Sequence, residues 1–211
     1  MRTPSTCPPA GTQAQSRDLV DEAEFLASLL HQPMPTEPEV LGLLALIRLH
    51  QARAAARFDP DGRIVQLQHQ DRTRWDHETI EEANRLIARA AAMRRPGPYQ
   101  LQAAIIACRA EPKRWEDTDW PQIAVLYDML LHFSPSPVTR LCRAIALRYV
   151  TAPAAALSEV DKLGTDLYDY HLFHATRAEL RELDRPRKRP RPTNALSRTA
   201  NPAEHSCSGN A

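Results

Sequence analysis

Between residues 18 and 183, apolar side chains recur three and four residues apart in eight successive stretches, and almost every stretch opens or closes at a proline. This punctuation is the tightest constraint in the sequence. Proline fits the first turn of a helix, where its missing N–H has no intrahelical partner anyway, and breaks a helix further in. Eighteen prolines against six glycines therefore favour many short helices over a Gly-rich phosphate loop or a many-turned β-sandwich. No apolar run approaches the roughly 18 residues of a membrane span, and the start Met1-Arg-Thr-Pro-Ser-Thr-Cys lacks the apolar core of a secretory signal. The expectation is a cytoplasmic chain with no membrane association.

The stretches can be read one by one. Asp18 to His31 is a helix with Asp18, Asp21 and Glu22 at its positive end, and Leu19, Phe25, Leu26, Leu29 and Leu30 mostly share one face. Thr36 reads as the N-cap of a second helix, with Glu39 at capping-box spacing. That helix is apolar almost all round from Val40 to Arg48, which predicts a central position. Phe58 to Arg63 is a turn, and Ile64, Val65 and Leu67 suggest a short extended piece. A polar loop, Asp71 to Asp76, carries one large anchor, Trp75. Asp76 can cap a third helix whose inner face is Ile80, Ala83, Leu86, Ile87 and Ala90. The fourth helix runs from Pro98 to Ala110, and the fifth starts at Asp119-Trp120-Pro121. The sixth, seventh and eighth cover Val138–Val150, Pro153–Leu163 and Asp166–Leu183.

Short loops between the later helices make neighbours antiparallel. The segments starting at Gly97 and Ser136 echo each other 39 residues apart, near the period of about 34 residues of tetratricopeptide repeats. The predicted fold is all-α, a tetratricopeptide-like array of antiparallel helical hairpins with disordered ends; a plain irregular bundle is the alternative. The domain boundaries are a lead at 1–17, a helical domain at 18–183, and a basic, Pro-rich tail at 184–211. The tail carries net +4 and leaves residues 1–183 at −3.

No catalytic or metal motif stands out. His171 and His174 share a helix face as metal-ligating pairs do, but no written zinc spacing accompanies them, so a packing pair is expected and no cofactor. Cys108 and Cys142 lie in apolar helical runs, where cysteines are inert. Trp75, Tyr99, Trp120 and Tyr170 stand at loop-to-helix junctions with polar neighbours Asp71, Arg72, Gln100, Gln102, Asp119, His171, His174 and Arg177. Lined up along one edge, these residues would make an interaction groove; individually, the aromatics would be plugs that close each hairpin. Arg185, Arg187, Lys188, Arg189 and Arg191 form a run able to contact phosphates without sequence preference.

Five blocks, starting at Pro38, Gln70, Gly97, Asp117 and Tyr170, together resemble the helical C-terminal extension of bacterial extracytoplasmic-function RNA polymerase sigma factors. The resemblance covers about residues 18–183. It implies a tetratricopeptide-like module that governs sigma activity, with RNA polymerase or sigma-factor promoter-reading domains as partners. Three departures accompany it. The promoter-reading domains are absent from these 211 residues. Cys142 stands where the family tends to have asparagine. Arg185 to Pro192 interrupts an expected further helix before family-like sequence resumes at Thr193, as a frame disruption or degraded gene would produce. The expectation is a non-catalytic interaction module, a fragment or stand-alone remnant, whose residues 18–183 do not bind DNA specifically. Self-association through the end of the eighth helix is a further expectation. Direct sigma activity in transcription initiation and small-molecule sensing are the alternatives.

Overall fold

A computed structural model describes residues 22–185. Among the described residues the only regular structure is helical. Helix α1 is described over residues 22–31, followed by α2 (Pro38–Gln51), α3 (His77–Ala92), α4 (Pro98–Ala110), α5 (Trp120–Phe133), α6 (Pro137–Leu147), α7 (Pro153–Asp161) and α8 (His171–Asp184). Five of them carry proline in the first turn. Side-chain acceptors cap three helices, α3 and two of those five, α5 and α6. Asp76 accepts from the Thr79 amide, Asp119 from Gln122 and Ser136 from Val138.

Helices pack on their sequence neighbours in series, α3 on α4, α4 on α5, and so on to α8, and α2 packs on both α3 and α4. The apolar interior is divided into three small cores. The first joins Leu41, Leu44 and Leu49 of α2 to Ile80 and Leu86 of α3, with Ala103, Ala107 and Ala110 of α4. The second takes Leu101 and Ile105 from α4, Trp120, Ile123 and Leu126 from α5, and Ala146 from α6. The third holds Leu141 and Ala144 of α6, Val160 of α7, and Phe173 and Leu180 of α8. Helices α4 and α6 each serve two cores, so the array is continuous although no core spans it.

Several sequence readings are corrected. Thr36 and Glu39 do not form a capping box: Glu37 is the N-cap of α2 and offers no side-chain bond. The Glu39 carboxylate instead crosses to α4, accepting from the amides of Tyr99 (2.9 Å) and Gln100 (3.2 Å) and from Gln100 Nε2 (3.3 Å). No strand forms at Ile64 to Leu67 among the described residues. Ile64 makes a single antiparallel bridge to Phe58 around a turn in which Gly62 adopts φ 78°, and Leu67 begins a 3-10 turn. Helix α8 starts at His171 rather than Asp166, because successive turns occupy 162–169. The face Phe25, Leu26, Leu29 and Leu30 is exposed, and on α1 it is Ala27 that enters the core. Asp18, Asp21 and Leu19 lie outside the described residues.

Two glycines allow α2 and α4 to touch. A Cβ on Gly42 would stand 2.6 Å from the Gln100 amide nitrogen, and one on Gly97 would stand 2.3 Å from Glu39 Cδ. Arg48 ties the same layer together, reaching Glu24 of α1 at 3.1 Å and Glu82 of α3 at 3.0 Å. Glu39→Ala, which leaves two amides at the start of α4 without their acceptor, should cost about 2 kcal/mol in urea unfolding. Glu37→Ala, whose side chain caps nothing, should cost far less.

Candidate functional site

Helix α4 organises the surroundings of the predicted site residues. Gly97 has no side chain to accept a bond and Pro98 no N–H to give, so the first free amides are those of Tyr99 and Gln100, both taken by Glu39. Gln100 is buried, and its Nε2 also donates to the Arg95 carbonyl oxygen (2.8 Å), while the Tyr99 ring is exposed. At the other end of α4, Arg72 Nη1 donates to the carbonyl oxygens of Arg109 (2.9 Å) and Pro112 (2.6 Å). Its guanidinium lies 4.5 Å from the centroid of the Trp75 ring. Asp71 holds the turn that aims Arg72, accepting from the Thr73 amide and hydroxyl. These two bonds keep the exposed Asp71 carboxyl below its usual pKa.

The predicted residues are thus dispersed. Thirteen residues of helix span about 20 Å, which separates Tyr99 and Gln100 from Arg72 and Trp75. Trp120 lies with the latter pair, since the Arg109 guanidinium is 5.9 Å from its ring centroid. Trp75 and Trp120 are buried. Trp120 stacks on Tyr149 at 3.9 Å and 15°, with Trp115 edge-on at 4.9 Å. Asp119 is exposed and serves as the cap of α5. Tyr170 packs against the third core. His171 and His174 are exposed; His174 Nε2 pairs with the Tyr168 carbonyl oxygen (2.5 Å), and Arg177 Nε pairs with Asp161 (2.5 Å). No group of three or more His, Cys, Asp or Glu side chains among the described residues is arranged to hold a metal ion. Arg185 pairs with Glu182 at 2.9 Å; Arg187, Lys188, Arg189 and Arg191 lie outside the described residues.

Sequence reasoning missed a cleft of about 390 Å³ bounded by α2, α4, α5 and α6. Its walls are Leu46 and His50 of α2, Gln102 and Ile106 of α4, Tyr127 and Leu130 of α5, and Val138 and Cys142 of α6, so Gln102 is the one predicted residue on it. Arg109 Nη2 donates to the Tyr127 hydroxyl (3.2 Å). Burial raises the pKa of the Tyr127 hydroxyl and of the Cys142 thiol, and pushes Cys108 up to about 11. Both thiols are therefore protonated and unreactive at neutral pH. The one sequence signal for the cleft is that polar residues, His50 and Gln102, interrupt otherwise apolar helices.

No helix among the described residues is long and apolar enough to cross a membrane. Residues 8–91 match DUF6596, a family of unknown function. A curated relative, an uncharacterized protein of Rhizobium meliloti (strain 1021), is 46% identical over 170 residues, covering 81% of this chain and 40% of the relative. The chain thus spans less than half the length of that relative. No solved structure matches.

Trp120→Ala should lose about 3–5 kcal/mol in urea unfolding, the usual cost of truncating a buried large aromatic, whereas Arg89→Ala, on an exposed face, should stay within about 0.5 kcal/mol of the parent. His50 gives a pH signature. Burial first, then Arg53 and Arg57, hold its imidazole below the usual 6.5. The unfolded chain therefore binds a proton that the folded chain refuses. Stability should be full above 6.5 and fall as pH drops from there toward the folded value. His50→Gln should flatten that slope in urea melts taken across the window.

Proposed function

We propose that the chain is a protein-interaction module of transcription initiation control, related to the helical C-terminal extension of extracytoplasmic-function sigma factors. It acts in the cytoplasm by binding RNA polymerase or sigma-factor promoter-reading domains, and not by catalysis. The observation that carries the reading is the open apolar face of α1 and the turn after it. Phe25, Leu26, Leu29, Leu30 and Met34 are 40–62% exposed and close together in the chain. A contiguous apolar patch of this kind marks a protein contact more often than a free surface.

The patch lies inside the stretch that matches DUF6596. In the Rhizobium meliloti relative, more than half of the polypeptide lies outside the matched region, which offers such a face something to pack on. Two of the five blocks of resemblance touch in space, which supports a common fold for them: the block starting at Pro38 supplies Glu39 to the amides of the block starting at Gly97. The cleft favours a second reading, a small-molecule sensor, because about 390 Å³ falls within the range of ligand pockets.

Co-purification separates the two. Phe25→Glu and Leu29→Glu change exposed positions, so circular dichroism and urea midpoints should stay near those of the parent. Capture of core RNA polymerase, or of separately expressed promoter-reading domains, should fall at least about tenfold, as expected for a buried apolar anchor at an interface. Variants that capture these partners as well as the parent would overturn the assignment of the α1 face.

A further inference from the structure

Glu39 fixes the N-terminal ends of α2 and α4 together, and the two helices pack along each other, so their C-terminal ends also lie close. Three arginines converge there. Arg53, 9% exposed, places its guanidinium 5.9 Å from the Trp75 ring centroid. Arg72 lies 4.5 Å from the same centroid and bonds the carbonyl oxygen of Arg109. Arg109 sits between the rings of Trp120 and Tyr127, at 5.9 and 6.0 Å.

Among the described residues, none of the three has a carboxylate within ion-pair distance, whereas Arg48, Arg143 and Arg177 do. Four buried N–H groups in the cluster have no hydrogen-bond partner: Arg53 Nε, Arg72 Nη2, Arg109 Nε and Trp75 Nε1. All four are donors, so what completes them must accept.

Helix ends do not account for the charge. Each helix C-terminus carries about −0.5 of an elementary charge, so α2 and α4 together balance about one guanidinium of three. Glu116 acts on Arg72. Arg53 has no such help: burial, then Arg109, Arg57 and Arg72, bring its pKa down to about 10. Water could fill the donors but not the charge. An oxyanion does both, because its several lone pairs accept charge-assisted bonds from guanidinium forks.

We propose that Arg53, Arg72 and Arg109 form an oxyanion-binding site for a phosphate or carboxylate group at one end of the cleft. The cluster adjoins the cleft through two of the residues on its wall. His50 Nδ1 is 3.5 Å from Arg53 Nη2, and the Tyr127 hydroxyl accepts from Arg109; both residues line the cleft wall. A ligand lying against Ile106 and Leu130 would present its anionic end to the cluster. The basic run that begins at Arg185 has the wrong sign to be that ligand. The site stands independently of the partner proposed for α1.

The test is thermal unfolding of the full chain titrated with inorganic phosphate, with succinate, and with chloride at matched ionic strength, alongside tryptophan emission, to which Trp75 and Trp120 contribute from beside the arginines and Trp115 from further off. A saturable rise in melting temperature and a saturable emission change with the same midpoint are expected for at least one oxyanion and not for chloride. Response to phosphate alone identifies a phosphate site, and response to succinate alone a carboxylate site. Arg53→Gln should reduce the response to that of chloride. Arg109→Lys, which keeps the charge but loses Nε, should raise the midpoint concentration at least tenfold and keeps the test valid if the Arg53 variant fails to fold. Equal responses to all three salts, or an unchanged midpoint in a folded variant, would overturn the proposal.

Discussion

Gly97 and Pro98 leave the start of α4 without an acceptor of its own, and Glu39 supplies one from α2. Arg72 closes the opposite end, donating to the carbonyl oxygens of Arg109 and Pro112. A carboxylate at the positive end of the helix and a guanidinium at the negative end both match its dipole. Neither residue belongs to α4, so the helix is fully capped only when α2 and the loop before α3 are in place. Local and tertiary structure are thereby coupled: disturbing the α2–α4 contact uncaps α4 as well as unpacking it.

That coupling matters because the interior is divided. Ala103, Ala107 and Ala110 face the first core and Leu101 and Ile105 the second, so tilting α4 disturbs both. Small side chains on the first face, together with Gly42, let α2 approach closely. Trp120, Trp115 and Tyr149 fill the second core with a three-ring cluster, and Arg148 reaches Glu179 of α8 at 2.6 Å. In a serial array each interface stabilises its neighbours, and the helix shared by two cores has the widest influence.

Much of the fold was legible because it rests on local rules. Asp76 is legible as a cap and acts as one, Asp119 marks the start of the fifth helix, the bounds of α4 follow from Pro98 and from the end of the apolar run, and the buried face of α3 follows from its period. Glu39 shows where local reading stops. Thr36 and Glu39 have capping-box spacing, yet two amides of another helix offered Glu39 more than one amide of its own. The clue was Gly97-Pro98, a helix start that cannot cap itself. The α1 face was legible as a stripe but not as an exposed one, since periodicity locates an apolar face without saying what covers it. The cleft left only the trace of His50 and Gln102 in apolar helices, and Arg53 carried no signal, because a cation near a helix C-terminus is ordinary and only its burial beside Arg72 and Arg109 sets it apart.

The geometry also separates the two surfaces available for recognition. The α1 face belongs to the first core's outer side, where Arg48 links Glu24 to Glu82 across α1, α2 and α3. The cleft lies on α2, α4, α5 and α6. Helix α2 contributes to both, with Arg48 directed at α1 and α3 and with Leu46 and His50 on the cleft wall. A group bound beside Arg53 would rest on the same helix that positions α1. Its binding energy would then favour the α2–α4 arrangement in which the arginines converge, the same arrangement in which Glu39 caps α4. Ligand binding at one surface and partner contact at the other would draw on a single packed pair of helices, so any coupling between them has a physical route through α2.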